Sequence, residues 1–400
     1  MNEKEYIERI PMWAKKKNSL SEVKKNIEIL GIKLPKVIHV AGTNGKGSVC
    51  AYLSNILIEN YMKVGTFISP HLIEVNERIL LDMIPISDPE LESISKYVRE
   101  KLSDKGTPPT YFEYIFYIAT VFFSKSNPDY VILETGMGGR LDVTNVFEDT
   151  LSIITSIGMD HMQFLGNSIK EIAYEKAGII KYNSTVIFDD SNEEANEIIR
   201  EFAKAKEAKI IPLSDFDYES LKFTYVKYKK KAAALAILGA GQLLNTIDNI
   251  DEAVTKTVWH GRMEEIEKDI IIDGAHNEPA IIEFTDNAMK LAKVNNKKIK
   301  LLISVVKDKK VERIFDIITS KLEVKKYYLT AMNSYRSNST DELYNSLNIL
   351  LEKNKRQSKI SCYNSSTEAF YEAKKEKADD EILFCVGSLY LMGEILEVNR

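Results

Sequence analysis

Along this chain, short continuous apolar runs alternate with longer stretches in which apolar residues recur at helical spacing. Residues 37–40, 63–68, 130–133, 153–157 and 185–188 read as buried strands. Between them, Val49, Tyr52, Leu53, Ile56 and Leu57 mark one helix, and 88–102 and 169–177 read as others. Residues 2–31 read as two helical pieces, closed by Gly31. Pro108, Pro109, Thr110 and Glu113 announce a further helix, with Thr110 and Glu113 placed as a capping box. Strands alternating with helices predict an α/β fold with a doubly wound parallel sheet.

From about 189 to 258 the pattern weakens, and only 232–244 and 251–258 read as helices. A second periodic block follows Gly261 and Arg262. Strands at 270–272, 301–306, 326–329, 360–363 and 382–386 alternate with helices at 279–291, 311–322, 339–351 and 367–374. The expected organisation is therefore two α/β domains, 1–260 and a smaller Rossmann-like 264–400, joined by a linker at 261–263.

The first strand runs into Gly42, Thr43, Asn44, Gly45, Lys46, Gly47 and Ser48, and a helix follows. Strand, glycine loop, lysine, hydroxyl and helix form a cradle for nucleotide phosphates, as in P-loop ATPases. Glycines let backbone N–H groups approach an anion, and the helix N-terminus adds partial positive charge. Lys46 would reach the outer phosphates and Ser48 a magnesium ion. Gly47 between lysine and serine departs from the usual GxxxxGK[ST] spacing. Ligands of doubly wound sheets bind beyond the carboxyl ends of strands, where the cradle, Ser69, Glu134 and His161 all fall. A carboxylate and a neutral imidazole there can hold magnesium beside the phosphates. Taken singly, each also has an ordinary structural role in a loop.

A net charge of −5 gives no reason to expect a nucleic-acid partner. Cys50, Cys362 and Cys385 are too scattered for a disulfide framework or a zinc site, and read as thiols in a reducing compartment. The first ten residues, MNEKEYIERI, lack the apolar core of a signal peptide. The most apolar windows, 111–123 and 232–241, are too short to span a bilayer, and the first contains Glu113. A cytoplasmic protein with no membrane partner is expected.

Several stretches occur in sequence: AGTNGKGSV (41–49), SPHLIEVNERI (69–79), TYFEYIF (110–116), DYVILETGMGGRLDVTN (129–145), SIGMDHMQFLG (156–166) and YEKAGIIK (174–181). In the second block GRMEE (261–265), DGAHNEP (273–279), KDKKV (307–311) and VGSLYLMGE (386–394) follow. Together they closely resemble the folylpolyglutamate synthase/dihydrofolate synthase family of the Mur ligase superfamily, over nearly the whole chain apart from about 183–258. The resemblance implies an ATP-binding central domain, a C-terminal glutamate ligase domain, and a monomer. The implied reaction is ATP-driven amide formation between L-glutamate and a reduced folate or dihydropteroate, through an acyl phosphate. It implies Gly42 to Ser48 as the ATP loop, with Arg262 and Asp273 also near nucleotide. Ser48, Ser69, Glu134, His161 and a carbamylated Lys176 would hold Mg2+, and Lys46, Lys176 and His161 would serve catalysis. Thr110, Phe112 and Asp142 match pterin-pocket residues, Phe112 stacking and Asp142 accepting hydrogen bonds. His276 and Ser388 resemble residues of the glutamate site, although Ser388 is also placed to cap the last helix.

One departure stands out. Where the family has an asparagine near ATP, ahead of an alanine-rich helix, this chain reads YKKKAAALAI and places Lys231. Either Lys231 points into the ATP site as a phosphate-directed cation, or Lys229, Lys230 and Lys231 form a solvated basic helix end; three consecutive lysines favour the second. Two other readings remain at this level: a Mur-type ligase for another precursor, and an ATP-binding paralogue without ligase activity.

Overall fold

The computed structural model describes residues 3–11, 18–103, 108–148, 150–334 and 336–399. The chain divides into two units, Met1–Val258 and Trp259–Arg400. The strands of the first are β1 (Lys36–Ala41), β2 (Val64–Phe67), β3 (Ile79–Leu81), β4 (Ile84–Pro85), β5 (Tyr130–Glu134), β6 (Thr150–Ile154), β7 (Thr185–Phe188) and β8 (Lys209–Pro212). They form one sheet in the order β4-β3-β2-β5-β1-β6-β7-β8. All neighbours are parallel except β3, which pairs antiparallel with both β2 and β4.

β1 is apolar almost throughout because helices cover parallel sheets on both faces. One core cluster gathers helix Tyr111–Ser126 with helices Leu20–Ile29 and Asp88–Leu102 around Val37, Phe67, Val131 and Leu133. Another gathers helices Ile169–Ala177 and Glu193–Ala205 around Ile154, Val186 and Phe188. Each fully buried side chain such as Phe116 or Ile172 stabilises by roughly 1.5–3 kcal/mol. Helix Lys227–Ala240 lies close on the sheet at Gly239, where an added Cβ would meet Ile153 Cδ1 at 3.0 Å.

The strand expected at 153–157 starts earlier and ends at Ile154, because residues 155–158 turn to hold the cradle loop. The weak stretch contains helix Glu193–Ala205 and edge strand β8, neither of which the periodicity predicts.

The second unit has β9 (Glu264–Glu267), β10 (Ile270–Asp273), β11 (Lys298–Ile303), β12 (Val324–Thr330), β13 (Lys359–Tyr363) and β14 (Glu381–Val386). Their order is β13-β12-β11-β14-β10-β9, parallel except for β9 against β10. Residues 261–263, expected as a linker, are hydrogen-bonded within this unit. The Gly274 amide donates to Gly261 O at 2.8 Å, and the Met263 amide to Asp273 Oδ2 at 2.9 Å. Among the described residues no helix is long and apolar enough to cross a membrane.

Candidate active site

The cradle begins where β1 ends. Gly42 has φ +152°, and a Cβ there would stand 1.7 Å from Thr155 Oγ1, so only glycine fits. The loop is fixed from the far side of β6. Thr155 Oγ1 donates to Asn44 O at 2.7 Å, and the Thr43 amide donates to Ser156 O at 2.7 Å. Gly45, in the left-handed region at φ +86°, opens helix Lys46–Glu59 with no side chain capping its first turn. Those amides are the donors a phosphate would take.

Two lysine side chains meet at this loop. Lys46 Nζ is 3.3 Å from Gly42 O and 3.9 Å from Glu134 Oε1. Lys176 Nζ donates to the same Gly42 oxygen at 2.7 Å and is 3% exposed. Burial, helped by the charge of Lys46, lowers the Lys176 pKa to about 7, against the pull of Asp160 and Asp142. Glu134 is also buried, and its Oε2 accepts the Ser69 amide at 2.8 Å. Ser48 lies buried in the first helical turn. His161 opens the short helix Met162–Leu165 at φ +49°, half-exposed, with Nε2 3.9 Å from Asp160 Oδ2. Ser69, Gly42 and His161 thus follow β2, β1 and β6, and Glu134 ends β5, on four adjacent strands.

The donors on this rim suit a hard cation: a buried carboxylate, two serine hydroxyls and an imidazole. Among the described residues no three His, Cys, Asp or Glu side chains stand together as a metal site. A magnesium ion here would take its remaining ligands from water and nucleotide phosphate, as magnesium commonly does.

Beside β5, Thr110 caps helix Tyr111–Ser126 in a full capping box with Glu113. The ring of Phe112 rests on Gly136, where a Cβ would lie 2.6 Å from its Cζ, and on Phe67 at 5.6 Å between centroids. The resemblance makes Asp142 an acceptor for the pterin. In the structure its carboxylate already accepts from the amides of Gly136 (3.1 Å), Met137 (3.0 Å) and Thr144 (3.0 Å) and from Thr144 Oγ1 (2.6 Å). A ligand N–H reaching Asp142 shares an oxygen with one of these donors. Its first task is to shape the loop 136–145.

In the second unit Asp273 ends β10 and also shapes its own loop, accepting from Met263 and Ala275 amides at 2.9 and 2.8 Å. Arg262 lies over Gly274, where a Cβ would be 2.5 Å from its Nη1. His276 Nδ1 is 2.7 Å from Gly274 O. Ser388, 2% exposed, caps helix Leu389–Val398 through the Tyr390 amide at 3.1 Å, the structural role already legible in the sequence.

Lys231 corrects an expectation. It is not part of a solvated basic end: its side chain is 19% exposed and its Nζ lies 3.3 Å from the buried carboxylate of Asp189, just past β7. Lys230 likewise turns back to Glu219 O at 3.0 Å. A cationic run at a helix N-terminus needs an anion nearby. Asp189 supplies it, and nothing in local periodicity pairs residues 42 positions apart. His39 was also missed as chemistry, because it sits inside an apolar run; its signal was a polar ring in a buried strand.

A parallel sheet carrying this cradle, followed by a Rossmann-like unit, is the arrangement of a Mur-type ATP-dependent ligase. The Mur ligase middle domain model matches residues 40–250, and the dihydrofolate synthetase C-terminal domain model matches residues 256–398. The dihydrofolate synthase/folylpolyglutamate synthase of Bacillus subtilis is 34% identical over 419 residues, covering 95% of this chain and 94% of the relative. The structure of Escherichia coli FolC in complex with DHPP and ADP superposes with TM-score 0.86 at 25% identity, covering 98% and 96% of the two chains. The Yersinia pestis bifunctional enzyme complexed with AMPPNP and Mn ion shares the fold, with TM-score 0.84 at 24% identity over 98% and 96%. The chain belongs to the dihydrofolate synthase/folylpolyglutamate synthase family.

Proposed function

We propose that this protein uses ATP to join the amine of L-glutamate to a folate carboxylate, acting on dihydropteroate, on tetrahydrofolate, or on both. What supports this most directly is the adjacency, on one sheet rim, of a phosphate cradle with Lys46 and Glu134 and of an aromatic ring, Phe112, on a glycine loop. The folate carboxylate oxygen attacks the γ-phosphorus, ADP leaves, and an acyl phosphate forms. The glutamate amine then attacks the acyl carbon, phosphate leaves, and the amine loses a proton. No enzyme nucleophile is required, so positioning and charge do the catalysis.

In this reading the loop from Gly42 to Ser48 holds the phosphates through the amides at the helix start, and Lys46 offsets charge as the phosphoryl group moves. Ser48, Ser69, Glu134, His161 and a carbamylated Lys176 would hold Mg2+, which when bound neutralises phosphate charge. Thr110 and Phe112 would line the pterin site with the loop that Asp142 shapes. Arg262 and Asp273 would contact nucleotide, and His276 and Ser388 glutamate. The protein would work as a monomer in the cytosol, where Cys50, Cys362 and Cys385 stay reduced.

The test offers purified protein ATP, magnesium and glutamate, with dihydropteroate, tetrahydrofolate or a muramyl precursor in parallel. Phosphate release that requires both glutamate and a pteroyl substrate is expected. Release with the muramyl precursor alone, or with none of the three, would overturn the reading.

A further inference from the structure

His39 lies in the middle of β1, 1% exposed, between Val37 and Ile38 on one side and Val40 and Ala41 on the other. A buried imidazole costs free energy unless it is hydrogen-bonded, and valine or isoleucine would fill a strand position without that cost. Its Nε2 lies 2.7 Å from Thr144 Oγ1, and that hydroxyl lies 2.6 Å from Asp142 Oδ1. The direction of the chain follows from the chemistry of its members. A carboxylate only accepts, and Thr144 has one hydroxyl proton, which therefore goes to Asp142. Thr144 Oγ1 is left to accept from His39, so the imidazole carries its proton on Nε2. Burial, with Lys181 nearby, keeps the ring neutral, its pKa lowered to about 3.

We propose that His39 is a positioning residue for the acceptor site. Through Thr144 it fixes the carboxylate of Asp142, which gathers the amides of Gly136 and Met137 and so sets the loop on which Phe112 rests. The relay also joins that loop to the strand that carries the cradle, since Gly42 follows His39 by three residues. Lys181 also holds the end of that loop, donating to Asn145 O at 3.3 Å. The proposal rests on the reading of Thr110, Phe112 and the Asp142 loop as the folate side of the site.

The test compares Thr144→Val and His39→Leu, which cut the relay, with Thr144→Ser and His39→Gln, which keep a hydroxyl or a donor N–H. The cutting variants should raise KM for the pteroyl substrate by about tenfold or more while KM for ATP changes less than about twofold. The conservative pair should stay within about threefold of the parent for both. A merely structural role would raise both constants together or lower melting temperature alone, and either result would overturn the proposal. Should the valine variant not fold, Thr144→Cys, whose thiol donates weakly, should give an intermediate KM; a parental KM would count against the relay. Direct binding of dihydropteroate and of tetrahydrofolate, followed by fluorescence, separates the two levels. A parent that binds neither overturns the function itself, whereas equal binding of the bound substrate by parent and Thr144→Val overturns only the relay.

Discussion

Lys176 donates to the carbonyl oxygen of Gly42 at 2.7 Å, inside the loop expected to hold phosphate. Its amine is out of water and its pKa is lowered to about 7, chiefly by burial and then by Lys46. A substantial share of it is therefore neutral at physiological pH. A neutral amine attacks carbon dioxide, forms a nitrogen–carbon bond and releases a proton, leaving an anionic carbamate whose oxygens suit magnesium. Lys176 is predicted to be carbamylated in the active enzyme. Isotope-labelled bicarbonate should give a carbamate carbon resonance that is absent from Lys176→Arg. Electron density ending in a bare amine beside bound metal at neutral pH would refute this.

Lys46→Ala should lower kcat by at least about a hundredfold, because its charge matters most as phosphoryl charge develops. Its ion pair with Glu134 is long at 3.9 Å, and the Ser69 amide still donates to that buried carboxylate, so loss of stability should stay within about 2 kcal/mol, below the loss expected for a close buried pair. Turnover and thermal melts on one preparation check both. Near-parental turnover in a folded variant would mean that the cradle is misassigned.

Lys231→Asn removes the cation facing a buried carboxylate. Stability should fall by about 2 kcal/mol, and KM for ATP should change by less than about threefold. Adding Asp189→Asn should restore part of the lost stability, since no unpaired charge then remains. A tenfold rise in KM at parental melting temperature would instead make Lys231 a nucleotide ligand.

The second unit carries an acid-sensitive contact. Glu381 at the start of β14 is 1% exposed and accepts from Lys300 at 2.8 Å, from the Ala378 amide at 2.9 Å, and from Lys325. Burial alone would push its pKa up, but the Ala378 amide and the two lysines outweigh it and hold it near 2, below the ordinary 4.5. A depressed carboxylate stabilises the fold fully above its unfolded pKa and loses that contribution as pH falls toward the folded value. Glu381 should thus contribute up to roughly 3 kcal/mol above pH 4.5, declining toward pH 2. Urea melts of parent and Glu381→Gln should converge across that window. Parallel curves would show that Glu381 is not the titrating group.

The sequence made the β1–cradle–helix unit legible because three signals agree there: an apolar run, a glycine-rich turn, and helical spacing. Most parallel strands of both sheets were visible for the same reason, being buried on both faces. The rest hid in ordinary ways. β9, Glu264–Glu267, is a polar edge strand, and β3 and β4 are too short to show a period. Glu134, Ser69 and His161 could be placed on one rim from strand ends, yet the Ser69–Glu134 hydrogen bond and the shared Gly42 oxygen are tertiary. So are Asp189–Lys231 and His39–Thr144, 42 and 105 positions apart, whose partners only the fold brings close; the Thr144–Asp142 link is local.

The claim that ATP activates a folate carboxylate can be tested by following one atom. Dihydropteroate, or tetrahydrofolate, with heavy oxygen in its reacting carboxylate would be turned over with unlabelled ATP, glutamate and magnesium. An acyl phosphate transfers one carboxylate oxygen to the phosphorus, so each phosphate released should carry one heavy oxygen, with ADP as the other product. Unlabelled phosphate, heavy oxygen appearing in AMP, or amide formed without ATP cleavage would contradict the account.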